Sequence, residues 1–238
     1  MYLTRTALTA VLVLSAVWPV QAATPLVRNA SDGAVIGPPE APTGPGFVVT
    51  GGVTLEFSDG EYGRGTGTSL SAESYVEAEI DGFYIGIKGL ITDEKIDNQV
   101  DYYLGYRREL DTGFSYNIDY TRTSYPRDGG DCCGELELLL FAPVGDTLGL
   151  GMDLAYDPEL KIGNYYVYGE YYISDKWTLS ANYGLYEEVD ADRQREWDFG
   201  AGYDLSDESA LDFRWYDGTD QDGYMALALS FDTTILGE

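Results

Sequence analysis

The sequence predicts an all-β protein, specifically a transmembrane, antiparallel, up-and-down β-barrel of about 12 strands. Three observations predict this fold. Between residues 47 and 231, segments of roughly ten residues alternate apolar and polar side chains. The connections between these segments are alternately long and short. The N-terminal segment, finally, has the features of an export signal. In membrane barrels lipid-facing and lumen-facing side chains alternate along each strand, which accounts for the period of two.

Residues 1–22 have the pattern of a signal peptide. Arg5 supplies a positive charge, Ala7 to Val17 are mostly apolar, and Val20-Gln21-Ala22 offers a small-residue cleavage site. The apolar run is shorter than the roughly 20 residues of a spanning helix, so cleavage is favoured over a retained anchor. Residues 23–46 are rich in Pro and Gly and show no apolar period. They predict a disordered leader, with a plug or a partner-binding segment as the alternative.

The first five strands each set an apolar face against a polar one. In chain order, the apolar faces include Val53 and Leu55, Val76 and Ala78, Ile85 and Ile87, Tyr102 and Leu104, and Tyr116 and Ile118. The opposite faces include Thr54 and Glu56, Glu77 and Glu79, Tyr84 and Lys88, Asp101 and Arg107, and Asn117 and Asp119.

The remaining seven strands continue the same alternation. Their apolar faces include Leu136 and Leu138, Leu150 and Met152, Tyr165 and Val167, Leu179 and Tyr183, Trp197 and Phe199, Leu211 and Phe213, and Leu227 and Leu229. The opposite faces include Glu135 and Glu137, Gly151 and Asp153, Tyr168 and Glu170, Ser180 and Asn182, Asp198 and Gly200, Asp212 and Arg214, and Ala228 and Ser230.

The connections alternate in length. The long, polar ones are predicted at 59–68, 92–98, 125–133, 157–163, 187–193 and 217–223. The short ones are Asp81-Gly82, Asp111-Thr112-Gly113, Val144-Gly145-Asp146, Ser174-Asp175-Lys176 and Ser206-Asp207-Glu208. With both chain ends on the periplasmic side, the long set is extracellular. The barrel domain is therefore predicted at 47–231, with Phe231 closing the last strand and 232–238 as a C-terminal tail.

A soluble barrel of the lipocalin kind is the main alternative fold, because its strands also alternate but point their apolar residues inward. The export signal, the tyrosines near strand ends and the small or charged opposite face favour the membrane barrel. The formal net charge is −27, which makes nucleic acid and anionic lipid poor partners. This charge fits either a salt-adapted soluble surface or a lumen that attracts cations.

The polar face supplies the candidate site. The predicted lining residues are Glu73, Glu77, Glu79, Lys88, Asp101, Arg107, Asp119, Glu135, Glu137, Asp153, Glu170, Asp198, Asp212 and Arg214. Acids outnumber bases on this face, so an open, water-filled lumen would favour cations. Alternatively, paired charges and inward tyrosines close the lumen, because a twelve-stranded barrel is narrow.

Other chemistry receives little support. The chain has no histidine, which excludes His-dependent nucleophilic catalysis, and the carboxylates are too many to form one private acid–base pair. No enzyme activity, cofactor or metal site is predicted. Acidic loop residues such as Asp217 and Asp220 fit a solvated surface better than a calcium site. Cys132 and Cys133 are adjacent in a Gly-rich turn, and in an oxidising compartment they form a possible disulfide or a reactive pair.

Three short elements carry a family resemblance. They are Ser58-Asp59 with Tyr62-Gly63-Arg64-Gly65, Asp101-Tyr102-Tyr103-Leu104-Gly105-Tyr106, and Thr121-Arg122-Thr123-Ser124-Tyr125-Pro126. In these elements the chain resembles an uncharacterised proteobacterial family of exported outer-membrane barrels, the Gcw_chp type. The resemblance implies the same barrel over nearly the whole mature chain and brings no activity. It marks Arg64, Tyr125 and Pro126 as candidate loop residues that could fold toward a pore.

Together these observations predict an exported protein of the bacterial outer membrane. The predicted function is a narrow passive pore for small cationic or neutral solutes. The alternative is a non-conducting structural or surface-interaction barrel with its role in the extracellular loops. The expected partners are outer-membrane lipid and the barrel assembly machinery, and the sequence leaves the oligomeric state open.

Overall fold

The computed structural model describes residues 46–59, 68–92, 98–126, 130–187, 193–219 and 223–237. It describes 131 and 132, and the segments 27–28 and 35–36, through their backbone alone. The predicted signal peptide and the rest of the leader lie outside the described residues. No helix in the described part of the chain could cross a membrane.

Twelve long strands form one closed barrel, and two short strands near the N-terminus form a separate ladder. The strands are β1 (Val27–Arg28), β2 (Val35–Ile36), β3 (Phe47–Ser58), β4 (Ser69–Ile80), β5 (Phe83–Thr92), β6 (Gln99–Glu109), β7 (Ser115–Tyr125), β8 (Gly130–Val144), β9 (Leu148–Asp157), β10 (Ile162–Ser174), β11 (Trp177–Tyr186), β12 (Gln194–Ser206), β13 (Ser209–Gly218) and β14 (Tyr224–Leu236).

The barrel closes between its first and last strands. Each strand from β3 to β14 pairs antiparallel with its neighbours in sequence, and β14 pairs with β3, with Leu229 opposite Leu55. Closure leaves no unpaired edge, which a sheet in a membrane requires. The predicted up-and-down barrel of about 12 strands is confirmed.

The two faces of the barrel are opposite in chemistry. Outward-facing apolar side chains are widely exposed, and Phe83 and Ile85 each expose 63% of their surface. Inward-facing charged side chains are buried, and Asp101 and Arg214 are both 0% exposed. An apolar surface this continuous suits lipid. The arrangement is the reverse of a lipocalin-like barrel, whose apolar side chains would face inward.

The connections at one end of the barrel differ from those at the other end. At the short-turn end, Asp81 and Gly82 have φ values of 53° and 83°, as the tight hairpin turn between β4 and β5 requires. Outward aromatic pairs mark this end, with ring centroids 4.7 Å apart for Phe83–Tyr106 and 4.7 Å apart for Trp177–Tyr203. Aromatic residues of this kind suit a membrane–water interface.

The last strand is longer than the sequence analysis predicts. β14 continues through Asp232 to Leu236, with Asp232 opposite Gly52 and Thr234 opposite Thr50. Most of the predicted tail at 232–238 therefore belongs to the barrel wall. The physical reason is closure: β3 begins at Phe47, and the first part of β3 needs a partner on its β14 side.

The start of β8 also differs from the prediction. The residues predicted as a Gly-rich turn belong to a strand that begins at Gly130. The β7–β8 register places Cys133 opposite Thr123 and Asp131 opposite Ser124, so Cys132 is the extra residue of a β-bulge. Glycines and a bulge interrupt the period of two, which is why the sequence reads as a turn.

Candidate functional site: the barrel lumen

All the predicted lining residues lie on the inward face of the barrel. Each is buried except Glu73, which is half-buried. These side chains share one face because every second residue of a strand points into the barrel. Their charges are not evenly mixed: three groups contain a basic side chain, and one wall contains none.

The first group surrounds Arg107 on β6. Its Nε donates to Oε2 of Glu79 at 2.7 Å, and its Nη2 forms ion pairs with both Glu77 and Glu79 on β4. The guanidinium lies over the ring of Tyr84 on the intervening strand β5, with Cζ 4.7 Å from the ring centroid. A delocalised cation that reaches two carboxylates and an aromatic face neutralises this part of the lumen.

The second group surrounds Lys88 on β5. Its Nζ lies 3.6 Å from Oε2 of Glu73 and 3.6 Å from Oδ2 of Asp101, on the two flanking strands. Asp101 also accepts hydrogen bonds from Thr123 Oγ1 at 2.8 Å and from Gln99 Nε2 at 2.8 Å. Three side chains, Lys88, Thr123 and Gln99, therefore hold these two carboxylates in place.

The third group surrounds Arg214 on β13. Its Nη1 forms an ion pair with Asp198 on β12, and its Nε lies 3.2 Å from Oδ1 of Asp212. Its Nη2 donates to Ser180 Oγ at 2.5 Å, and Asn182 Nδ2 donates to Asp198 Oδ1 at 3.0 Å. The guanidinium thus ties β11, β12 and β13 together from inside the barrel.

The fourth region is an acid wall on β7 to β10. Among the described residues of these four strands, no lysine or arginine faces inward. The acid wall consists of Asp119, Glu135, Glu137, Asp153 and Glu170.

Hydrogen bonds to neutral groups hold part of the acid wall. Asp119 accepts from Asn117 Nδ2 at 2.7 Å and from Tyr84 OH at 3.2 Å. Glu170 accepts from Tyr172 OH at 2.6 Å. Neutral donors fix these carboxylates without cancelling their charge. No inward lysine or arginine lies among the described residues on this side of the lumen.

Aromatic rings lie flat against the inner surface, over glycines of neighbouring strands. A Cβ on Gly86 would fall 2.2 Å from Cζ of Tyr103, and a Cβ on Gly151 would fall 1.9 Å from Cζ of Tyr168. The glycines leave the space that the rings occupy. Tyr84, Tyr103, Leu139, Phe141 and Tyr168 form one buried cluster inside the barrel. This cluster and the buried charges occupy part of the lumen.

Some inward residues are missed by the sequence analysis. Leu139 and Phe141 continue the inward row that begins at Glu135, but they are apolar and lie within an apolar run. Asp232 accepts a hydrogen bond from Tyr75 OH at 2.8 Å, and its place in the predicted tail hides it. The alternation from Ala226 through Ser230 is the signal that could have found it.

The candidate loop residues have different positions. Tyr125 is the last residue of β7 and Pro126 follows it in a turn, so Tyr125 belongs to the barrel wall and not to a loop. Arg64 lies outside the described residues. Cys133 is buried and disulfide-bonded, whereas the side chain of Cys132 lies outside the described residues.

The long connections are anchored by ion pairs outside the membrane-spanning segments. Glu187 accepts hydrogen bonds from Arg193 Nε at 3.1 Å and from the backbone N–H of Gly163 at 3.0 Å. The Arg193 guanidinium, helped by that backbone donor, holds the pKa of Glu187 below its usual range. Arg122 and Glu159 form a second pair at this end. Of the loop acids considered for calcium, Asp220 lies outside the described residues. Within the described residues, no group of three or more potential metal ligands is found.

Comparisons with known proteins agree with this fold. No protein-family model and no curated protein matches the chain, so the Gcw_chp resemblance stays a prediction. The chain is similar in structure to the KdgM porin, with a TM-score of 0.59, 11% identity, and coverage of 76% of this chain and 98% of that chain. It is similar to the NanC porin, with a TM-score of 0.57, 12% identity, and coverage of 78% and 100%. It is also similar to the CymD monoaromatic hydrocarbon channel, with a TM-score of 0.50, 9% identity, and coverage of 79% and 88%.

These observations define the class of the protein. It is a porin-like, twelve-stranded transmembrane β-barrel with a charged lumen.

Proposed function

We propose that the protein is an outer-membrane pore through which small cationic or neutral solutes pass passively. The observation that carries this proposal is the acid wall. On the other sides of the lumen Arg107, Lys88 and Arg214 offset nearby carboxylates, whereas the described part of the acid wall holds no inward base. A row of uncompensated carboxylates attracts cations and repels anions.

The width of the lumen limits the solutes. The buried ring cluster around Tyr103 and Phe141 leaves no room for a wide channel, so the proposal is restricted to small solutes. The porin likeness supports this general function and carries no information on the solute. The proposal includes no catalytic role: the absence of histidine excludes His-dependent nucleophilic catalysis, and the many carboxylates offer no single private acid–base pair. Outer-membrane lipid and the barrel assembly machinery remain the proposed partners.

One specific observation favours a second function. Asp101 and Arg214 are 0% exposed, which also fits a sealed barrel that conducts nothing and acts through its extracellular loops. The two functions differ in a single measurable property, the ion current.

The test is planar-bilayer conductance of the refolded mature protein, with the reversal potential measured under a salt gradient. We expect discrete current steps and a cation preference. Asp119→Asn removes one charge from the acid wall and should lower that preference. Asp175→Asn removes one charge from an exposed short turn and should leave it unchanged.

Glu77 is a poor position for this test because Arg107 holds its carboxylate, and a reversal there would disturb the fold. A folded barrel, recognised by its altered mobility on an unheated SDS gel, that passes no current would contradict the pore. It would support the sealed barrel.

A further inference from the structure

Two carboxyl groups of the acid wall are in direct contact. Glu137 on β8 and Asp153 on β9 both face inward, and their carboxyl groups lie within hydrogen-bonding reach of each other. The register places Glu137 opposite Ala155 and Leu139 opposite Asp153, so the two acids are diagonal neighbours on adjacent strands. An ionised carboxylate can only accept hydrogen bonds. The contact therefore requires a proton on one of the two groups.

The burial of Glu137 and Asp153 also favours a proton on one of the two groups. Glu137 is 4% exposed and Asp153 is 6% exposed. The second oxygen of Asp153, Oδ1, is buried and has no hydrogen-bond partner among the described residues. An unpartnered carboxylate oxygen in the interior is costly when the group is charged. Neutralisation by a proton relieves that cost.

The groups that face the pair are also acidic. Asp119 on β7 lies directly opposite Glu137, and Glu135 lies two residues before it on β8. Glu170 faces inward from β10, and Asp157 ends β9 on the same face. Two strands away, on β6, Asp101 acts on Glu135 through its charge. Tyr166, directly opposite Asp153 on β10, and the nearby Tyr168 are both neutral. Like charges around a carboxyl pair favour retention of a proton.

We infer that Glu137 and Asp153 share one proton and form a proton-binding site within the acid wall. Release of this proton adds a negative charge to the lumen and strengthens its preference for cations. The effect on ion selectivity rests on the proposed pore, whereas the shared proton does not. The two parts can therefore be tested separately.

The shared proton is tested by infrared spectroscopy of the folded barrel in lipid. A protonated carboxyl group has a C=O stretch that is distinct from the bands of a carboxylate. We expect such a band in the wild-type protein, and we expect Glu137→Gln and Asp153→Asn each to remove intensity from it. The control Glu159→Gln, in a turn outside the lumen, should not. Equal spectra for the wild type and both lumen variants would overturn the site.

The effect on selectivity is tested by reversal potentials at several pH values between about pH 5 and pH 9, the range in which perturbed carboxyl groups titrate. The wild-type cation preference should rise with pH, and the rise should be smaller in a Glu137→Gln/Asp153→Asn double variant. A wild-type preference that does not change with pH would overturn the regulatory role. If the infrared band is lost as expected but the barrel passes no current, the proton site stands and the pore fails.

Discussion

At the residue scale, the main finding is that buried charges in this barrel come in two kinds. The inward arginines and lysine offset carboxylates by direct ion pairs, as Arg214 does with Asp198. The carboxylates of the acid wall are held by neutral donors, as Asp119 is by Asn117. The first kind stabilises the wall, and the second leaves a field that acts on passing ions.

Substitution of Arg107 tests how much its buried ion pairs contribute to the stability of the barrel. Arg107→Gln would leave Glu77 and Glu79 buried without their cation, and breaking a buried pair in this way typically costs about 3–5 kcal/mol. We expect a loss of that size in the free energy of unfolding, followed by tryptophan fluorescence during urea denaturation in lipid vesicles. Arg108→Gln is the matched control, because Arg108 is the next residue and faces outward. Equal losses for the two variants would contradict the assignment.

At the element scale, neighbouring strands fit together through rings and glycines. Tyr103 on β6 lies over Gly86 on β5, and Tyr84 on β5 lies over Gly105 on β6. Each strand of this pair therefore supplies one ring and one glycine. The rings cover backbone that glycine would otherwise leave exposed, and they remain close to the wall.

A methyl group at Gly86 should break this fit. Gly86→Ala places a Cβ where the Tyr103 ring lies, and overpacking of this kind costs about 1–3 kcal/mol. Gly89→Ala on the same strand is the control, because a Cβ there meets nothing within 4 Å. We expect only Gly86→Ala to lower the urea midpoint of the refolded barrel. A loss as large in Gly89→Ala would show that strand propensity, and not ring packing, is responsible.

At the scale of the whole molecule, the positions of the chain ends and connections predict how the barrel is oriented in the membrane. The five short turns, the start of β3 and the end of β14 lie at one end of the barrel, and the other six connections lie at the opposite end. Two of the predicted long connections are short in the structure, because 126–129 and 158–161 alone join their strands. Since both ends of an outer-membrane barrel chain belong on the periplasmic side, the long connections should face the outside of the cell.

Cysteine labelling tests this orientation. Pro158→Cys lies in the connection 158–161 between β9 and β10, and Asp175→Cys lies in the short turn between β10 and β11, at the opposite end of the barrel. A membrane-impermeant maleimide should label Pro158→Cys on intact bacteria. It should reach Asp175→Cys only after the outer membrane is permeabilised. The protein without an introduced cysteine gives the background, and the reverse labelling pattern would mean that the barrel is inverted.

Much of the fold follows from the sequence because its signals are local. The period of two along each strand is visible within about ten residues, and the two residues Asp81-Gly82 are enough to predict a tight turn. These features fix the number of strands, their faces and the two kinds of connection. The inward position of residues such as Glu137 and Arg107 follows directly. Where a bulge breaks the period, as before Cys133, the local signal fails.

Only the tertiary structure decides which inward residues meet. Arg107 reaches Glu79 across an intervening strand, 28 residues away, and Tyr75 reaches Asp232 across the closing seam, 157 residues away. These contacts depend on the stagger between strands and on closure, which no local pattern encodes. The sequence by itself therefore determined a charged lumen. The closed barrel decided which of its carboxylates have a cation beside them and which form the acid wall.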